Sequence, residues 1–239
     1  MPRPVALLLL VAVPVALVAA PVPKPTAAEL IARAFGTVAD KRGCQLAMDG
    51  KKVLTATLDG YDPPAEGTFK SPNGVSFRRE VSGDFTATVR YAIKTDLTKV
   101  VSEKEYPRLN IGWHVSDATA SCWLNRDHQS RIPLGFGIKP IPKVTSSFSS
   151  SVSIRNGDKH TVSGRSRSGG GDDYPSAATE FRLTRAKDVL TLSYRDDDGE
   201  WRTGEKETVA MRKDVTVSLD LSSSFGEPVD VVLDQFVLK

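Results

Sequence analysis

Polar and apolar residues alternate with a period of two over most of the chain, and the stretches that do so mark its strands. In residues 84 to 92, Phe85, Ala87, Val89 and Tyr91 fall on one side and Thr86, Thr88 and Arg90 on the other. Leu109, Ile111, Trp113 and Val115 likewise share a face, which leaves Asn110, Gly112, His114 and Ser116 on the opposite one. A turn over 117 to 119 returns the chain through a strand predicted to end at Arg126. With Cys122 and Leu124 pointing inward, Trp123 and Asn125 join the polar face. Residues 181 to 185, 189 to 195, 215 to 220 and 229 to 238 continue the rhythm. Turn residues supply hairpins at Asp49-Gly50, between 45 to 48 and 52 to 58, and at Asn156-Gly157, between 145 to 154 and the strand holding His160 and Val162. Two segments lack the alternation, the charged 94 to 108 and the Ser/Gly-rich 163 to 171, and both read as long loops.

One segment has helical spacing instead. After the Pro-rich joint 21 to 25, Thr26 is placed to cap a helix and Glu29 to reach back to it, the reciprocal arrangement of a capping box. Leu30, Ile31, Ala34 and Phe35 form the apolar stripe and Gly36 ends it, so a short peripheral helix is expected. Upstream, Arg3 precedes an uncharged run whose apolar heart, 5 to 20, is interrupted by Pro14. A proline there removes a backbone hydrogen bond from the middle of a spanning helix, so the run reads as a signal peptide rather than a retained anchor. The small residues Val18-Ala19-Ala20 suit cleavage, with Thr26-Ala27-Ala28 as the alternative. The chain thus divides into a signal peptide (1 to 20), a joint with the helix (21 to 43) and a sandwich domain (44 to 239). It is expected outside the cytoplasm, secreted or periplasmic, with no membrane span after cleavage.

Length and composition fit a single core: 239 residues, 40% of them hydrophobic. The formal charge of +3 is spread along the chain, which gives no footprint for nucleic acid. Cys44 and Cys122 are the only cysteines. In an oxidising compartment they either bridge or stand as two buried thiols, and spacing does not decide between these. No CxxC, HExxH, GxSxG or P-loop occurs, and His114, His128 and His160 lack ligand spacing, so no metal, cofactor or catalytic residue is expected. Glu103-Lys104-Glu105 has the spacing of paired carboxylates but lies in the charged loop. Asp196-Asp197-Asp198-Gly199 reads as a hairpin tip, with a Ca²⁺ loop as the alternative, and 169 to 173 as a linker with the same alternative.

Several blocks, in order, carry a resemblance: Ser71-Pro72-Asn73-Gly74-Val75, Arg79-Glu80-Val81-Ser82-Gly83-Asp84-Phe85, Phe181-Arg182-Leu183-Thr184-Arg185, Ser193-Tyr194-Arg195-Asp196-Asp197-Asp198-Gly199-Glu200-Trp201, and 229 to 236. Together they resemble a secreted bacterial family related to the concanavalin A-like lectins and glucanases. The resemblance implies an all-β jelly-roll sandwich of two antiparallel sheets, whose relatives bind or cleave polysaccharide on the concave sheet. The polar face of the 109 to 126 hairpin carries equipment for that: Trp123 as a stacking platform and Asn110, His114 and Asn125 as hydrogen-bonding groups, with Arg126 and Arg182 as added donors. The expectation is a non-catalytic module binding a glycan or another envelope polymer. A glycoside hydrolase of the same fold and a protein-interaction module without a small-ligand site are the alternatives.

Overall fold

The computed structural model describes residues 25–49, 52–64, 70–100, 107–131, 143–156, 159–167, 179–196 and 199–239. Residues 1 to 20, read above as a signal peptide, Glu103 to Glu105, the tract 169 to 173 and the tip 197 to 198 lie outside these residues. The chain opens with α1 (Ala27–Phe35) and continues through β1 (Thr37–Arg42), β2 (Cys44–Met48), β3 (Leu54–Leu58), β4 (Asn73–Ser82), β5 (Phe85–Ile93), β6 (Arg108–Ser116) and β7 (Ala120–Arg131). It then forms β8 (Lys143–Asn156), β9 (Lys159–Arg167), β10 (Thr179–Ala186), β11 (Val189–Asp196), β12 (Arg202–Thr208), β13 (Asp214–Ser223) and β14 (Val229–Leu238). All pairings are antiparallel in two seven-stranded sheets. The first runs β1-β4-β13-β6-β7-β8-β9 and the second β12-β11-β10-β5-β14-β3-β2. The described residues form an all-β jelly-roll sandwich with one short helix.

The period of two sends one row from each strand into the space between the sheets. Leu109, Ile111, Trp113 and Val115 from β6 are fully buried there, as are Val89 and Tyr91 from β5 and Phe181 and Leu183 from β10. Trp113 stacks on Phe181 across the gap, with ring centroids 6.3 Å apart. At the β2 end of the sandwich α1 closes the core. Its capping box forms as the sequence predicts, with Glu29 N–H donating to Thr26 and Thr26 N–H donating to Glu29. The helix is more than peripheral, however. Phe35 and Ile31 are buried, and Phe35 packs against Phe77 and Phe236. Arg79 donates to the carbonyls of Arg33 and Ala34 at the helix C-terminus and fixes the helix on the sheet.

Strands β1 and β4 have no counterpart in the pattern reading, and β9 has one only for the part that holds His160 and Val162. The segment 163 to 171, read as a loop, is strand as far as Arg167 within β9. An edge strand needs one neighbour for its backbone hydrogen bonds and no apolar face, so Ser, Gly and Arg suffice. The loop reading of the charged segment holds where it is described: residues 94 to 100 make turns, anchored by fully buried Leu97. The cysteines are free and buried in different sheets, Cys44 on β2 and Cys122 on β7.

Candidate functional site

The outward face of the first sheet is a grid set by register. One row crosses it as Arg78 on β4, Ser218 on β13, His114 on β6, Trp123 on β7, Ser151 on β8 and Gly164 on β9. The next row runs Ser76, Asp220, Gly112, Asn125, Ser149 and Ser166. A third brings Ser222, Asn110, Asp127 and Ser147 together. Large side chains therefore stand at the centre of a field of serines and glycines.

Four of the six residues singled out in the sequence meet here. His114 and Trp123 stack with ring centroids 4.2 Å apart and planes within 4° of parallel. On the side away from His114, the row continues with Ser151 and Gly164, which are too short to cover the indole. Asn110 donates to Asp127 at 2.8 Å, and Ser149 donates to the other carboxylate oxygen at 2.8 Å, so Asp127 holds Asn110 in place. The Asn125 amide lies over Gly112. A Cβ added at Gly112 would sit 2.0 Å from Asn125 Oδ1, so the missing side chain is what lets the amide cross the sheet.

The other two lie elsewhere. Arg126 falls in the inward row of β7, opposite Ile111 and Phe148, because the strand runs on to Arg131 instead of ending at 126. It is 3% exposed, its guanidinium lies 4.8 Å from the Tyr194 ring centroid, and Nη1 donates to Thr179 Oγ1 at 3.3 Å. Arg182 belongs to β10, in the second sheet, where its guanidinium lies 3.8 Å from the Trp201 ring centroid. Both are corrected as members of this face. His128, also inward on β7, contacts the Tyr91 hydroxyl and Ser146 in the core.

Two further residues belong to the site, Ser218 and Asp220 on β13. The alternation of 215 to 220 already puts both on a polar face. Their pairing with β6, about a hundred positions away, is what the sequence does not reveal. On the outward face of these neighbouring strands, three buried polar atoms have no hydrogen-bond partner among the described residues: His114 Nε2, Ser218 Oγ and Asp220 Oδ1. Such orphans each forgo about 1–3 kcal/mol of solvation unless something meets them. Burial, with Arg78 beside it, lowers the His114 pKa to about 4, so the imidazole is neutral at ordinary pH. Burial pushes the Asp220 carboxyl up, opposed by the Ser76 hydroxyl and by Arg78, whose own charge is paired with Asp40.

Beyond the aromatic pair the face dips into a cleft of about 250 Å³, reached by His114, Trp123, Ser121, Ser153 and Arg155. Asp117 shapes this end, accepting from Thr119 and Ala120 in the β6–β7 turn and from the Arg212 amide. Among the described residues no group of His, Cys, Asp and Glu is arranged to hold a metal ion. None of the described helices is long and apolar enough to cross a membrane.

No protein-family model and no curated protein matches the chain. Solved structures do. A Saccharomyces cerevisiae protein of unknown function is similar at 17% identity with a TM-score of 0.52, over 85% of this chain and 95% of that one. A Bacteroides ovatus family 16 endo-glucanase is similar at 11% identity and a TM-score of 0.48, over 82% and 84%. Lectin I-B4 of Griffonia simplicifolia is similar at 9% identity and 0.44, over 84% and 92%. The likeness to the Saccharomyces cerevisiae protein bears on the two-sheet antiparallel sandwich fold alone.

Proposed function

We infer that the protein is an exported, non-catalytic module that binds a saccharide on the outward face of its first sheet. The observation that carries this reading is the stacked His114–Trp123 pair, one face of its indole left uncovered by its row, beside three orphaned polar atoms. A sugar ring offers an apolar C–H face to an aromatic plane and hydroxyls to fixed polar groups around it. Trp123 supplies the plane, while Asn110, Asn125, His114, Ser218 and Asp220 supply the polar groups. The rigidity of these groups favours binding, since little side-chain freedom remains to be lost. The export signal in residues 1 to 20 would carry the module to envelope or extracellular glycans.

Binding is favoured over hydrolysis by the fate of the carboxylates. A retaining glycosidase needs two carboxyl groups about 5–5.5 Å apart, both available to the glycosidic bond. Here both oxygens of Asp127 accept from neighbours, and Asp220 stands in a different row, two strands away. The test is binding of the full chain to a glycan array, with Trp123→Ala alongside. Retention of a glycan by the wild type, weakened at least about tenfold in the folded variant, is expected. Absence of any glycan binding, or equal binding by the variant, overturns the reading.

A further inference from the structure

At the turn end of the first sheet, register lays a row of short hydroxyl residues beside the row of His114 and Trp123. Ser153 on β8 stands opposite Ser121 on β7, and the row continues through Ser116 on β6 and Thr216 on β13 to Glu80 on β4. The cleft beyond the aromatic pair covers only the β8 end of this row. A second depression, of about 330 Å³, adjoins it: Ser116 and Asp117 line both, and Thr216, Arg212 and Glu80 line the second alone. Glu80 in turn borders a third depression, of about 580 Å³, between β4 and α1, where Arg33, Thr37 and Arg78 stand. With strands about 4.8 Å apart, the row from Ser153 to Glu80 runs about 19 Å across the sheet, well beyond the width of one sugar ring. The wall opposite the aromatic row is held in place. Asp117 accepts from Thr119 and Ala120 in its own turn and from the Arg212 amide of the 209–213 loop. Arg185, 6% exposed, reaches that loop from the second sheet and donates to the carbonyls of Met211, Arg212 and Lys213.

We propose that the three depressions act as one groove that takes a linear saccharide laid across the strands, Trp123 holding one ring and Arg212, Glu80 and Arg33 contacting the rings that follow. The inference rests on the saccharide-binding reading and specifies its ligand class, an extended chain rather than a single ring. Distance separates the two. Glu80 lies three strands from Trp123, about 14 Å across the sheet, so a ring stacked on the indole does not reach it. Arg212, Glu80 and Arg33 are exposed and line the second and third depressions, where their side chains meet whatever occupies the groove. Their hydrogen-bonding roles alternate along the path. The two guanidiniums only donate, and the Glu80 carboxylate between them only accepts, one of its oxygens already receiving the Thr216 hydroxyl. A chain of sugar rings offers hydroxyls that both donate and accept at every step, so it answers this alternation along its length. The clamped wall favours such binding, since the loops that border the groove have little freedom left to lose.

The experiment measures binding of the full chain to linear glucose, mannose and N-acetylglucosamine oligomers of one to six residues, with Trp123→Ala, Arg212→Ala and Glu80→Ala checked for folding by circular dichroism. In the series that binds, affinity is expected to rise at least about tenfold from the disaccharide to the tetrasaccharide. Arg212→Ala keeps the backbone N–H that Asp117 accepts, so it removes the side chain and leaves the wall. It and Glu80→Ala are each expected to weaken tetrasaccharide binding about fivefold or more while leaving the disaccharide within about twofold. Trp123→Ala is expected to weaken binding at every length. Affinity that stays level from the disaccharide upward, with Trp123→Ala abolishing it, refutes the groove while the saccharide face stands. Tetrasaccharide binding untouched by Arg212→Ala and Glu80→Ala, or weakened by them equally at all lengths, refutes it in the same way. No binding of any oligomer refutes both.

Discussion

Burial beside Trp123 holds the His114 imidazole neutral to well below the pH at which a free histidine gains its charge. The consequence for stability has a definite sign. Below about pH 6.5 the unfolded chain takes up a proton that the folded chain refuses until about pH 4, so stability is full above that window and declines as pH falls through it. The decline amounts to at most about 3 kcal/mol. Asp220 acts in the opposite sense. Its folded pKa lies above 3.8, so its contribution is present in acid and is lost as pH rises through that raised value. An NMR titration in the Asp220→Asn background separates the two: His114 should titrate near pH 4, with stability falling from pH 6.5 to 4. A midpoint near 6.5 would show an imidazole open to water. His114 was legible in the sequence as a polar-face residue, because alternation fixes a side chain's direction within its own strand. Its environment was not, since Arg78 and Ser218 arrive from strands far away in the chain.

At the scale of the element, β6 is the backbone of the site, and Gly112 is the position on which its outward face turns. Gly112→Ala places a methyl group against Asn125 Oδ1, the end of a flexible side chain, so the amide should swing aside while the strand remains intact. The expected result is a folded protein, destabilised by no more than about 1 kcal/mol, whose saccharide affinity falls several-fold by calorimetry. Unchanged affinity would show that Asn125 is not a ligand group. The two arginines show how far pattern reading reaches within elements. Parity places Arg126 with Cys122 and Leu124, and only a strand end at 126 would have released it outward; β7 continues to Arg131. Arg182 has the outward parity expected of it, but parity says nothing about which sheet a strand joins. The 163 to 167 end of edge strand β9 escaped because backbone pairing alone, without an apolar row, holds it.

For the whole molecule, the two-residue rhythm and the capping box determine the class of fold, and both were readable. The order of strands was not, because each sheet interleaves distant segments: β13 separates β4 from β6, and β14 separates β5 from β3. That interleaving also keeps the thiols apart. Cys44 lies on the edge strand β2 and Cys122 on β7 in the facing sheet, and burial pushes their pKa values up to about 11 and about 12. The same architecture distributes the tryptophans one to a compartment: Trp113 in the core, Trp123 on the outward face of the first sheet, and Trp201 over Arg182 on the second. Their three indole N–H signals therefore report separately on the three places a ligand could act. The most direct measurement is an NMR titration of the full chain with a bound oligosaccharide. The Trp123 signal is expected to shift in proportion to occupancy, with those of Trp113 and Trp201 unmoved. Saturable binding that shifts Trp201 and leaves Trp123 still would place the ligand on the other sheet and contradict the account.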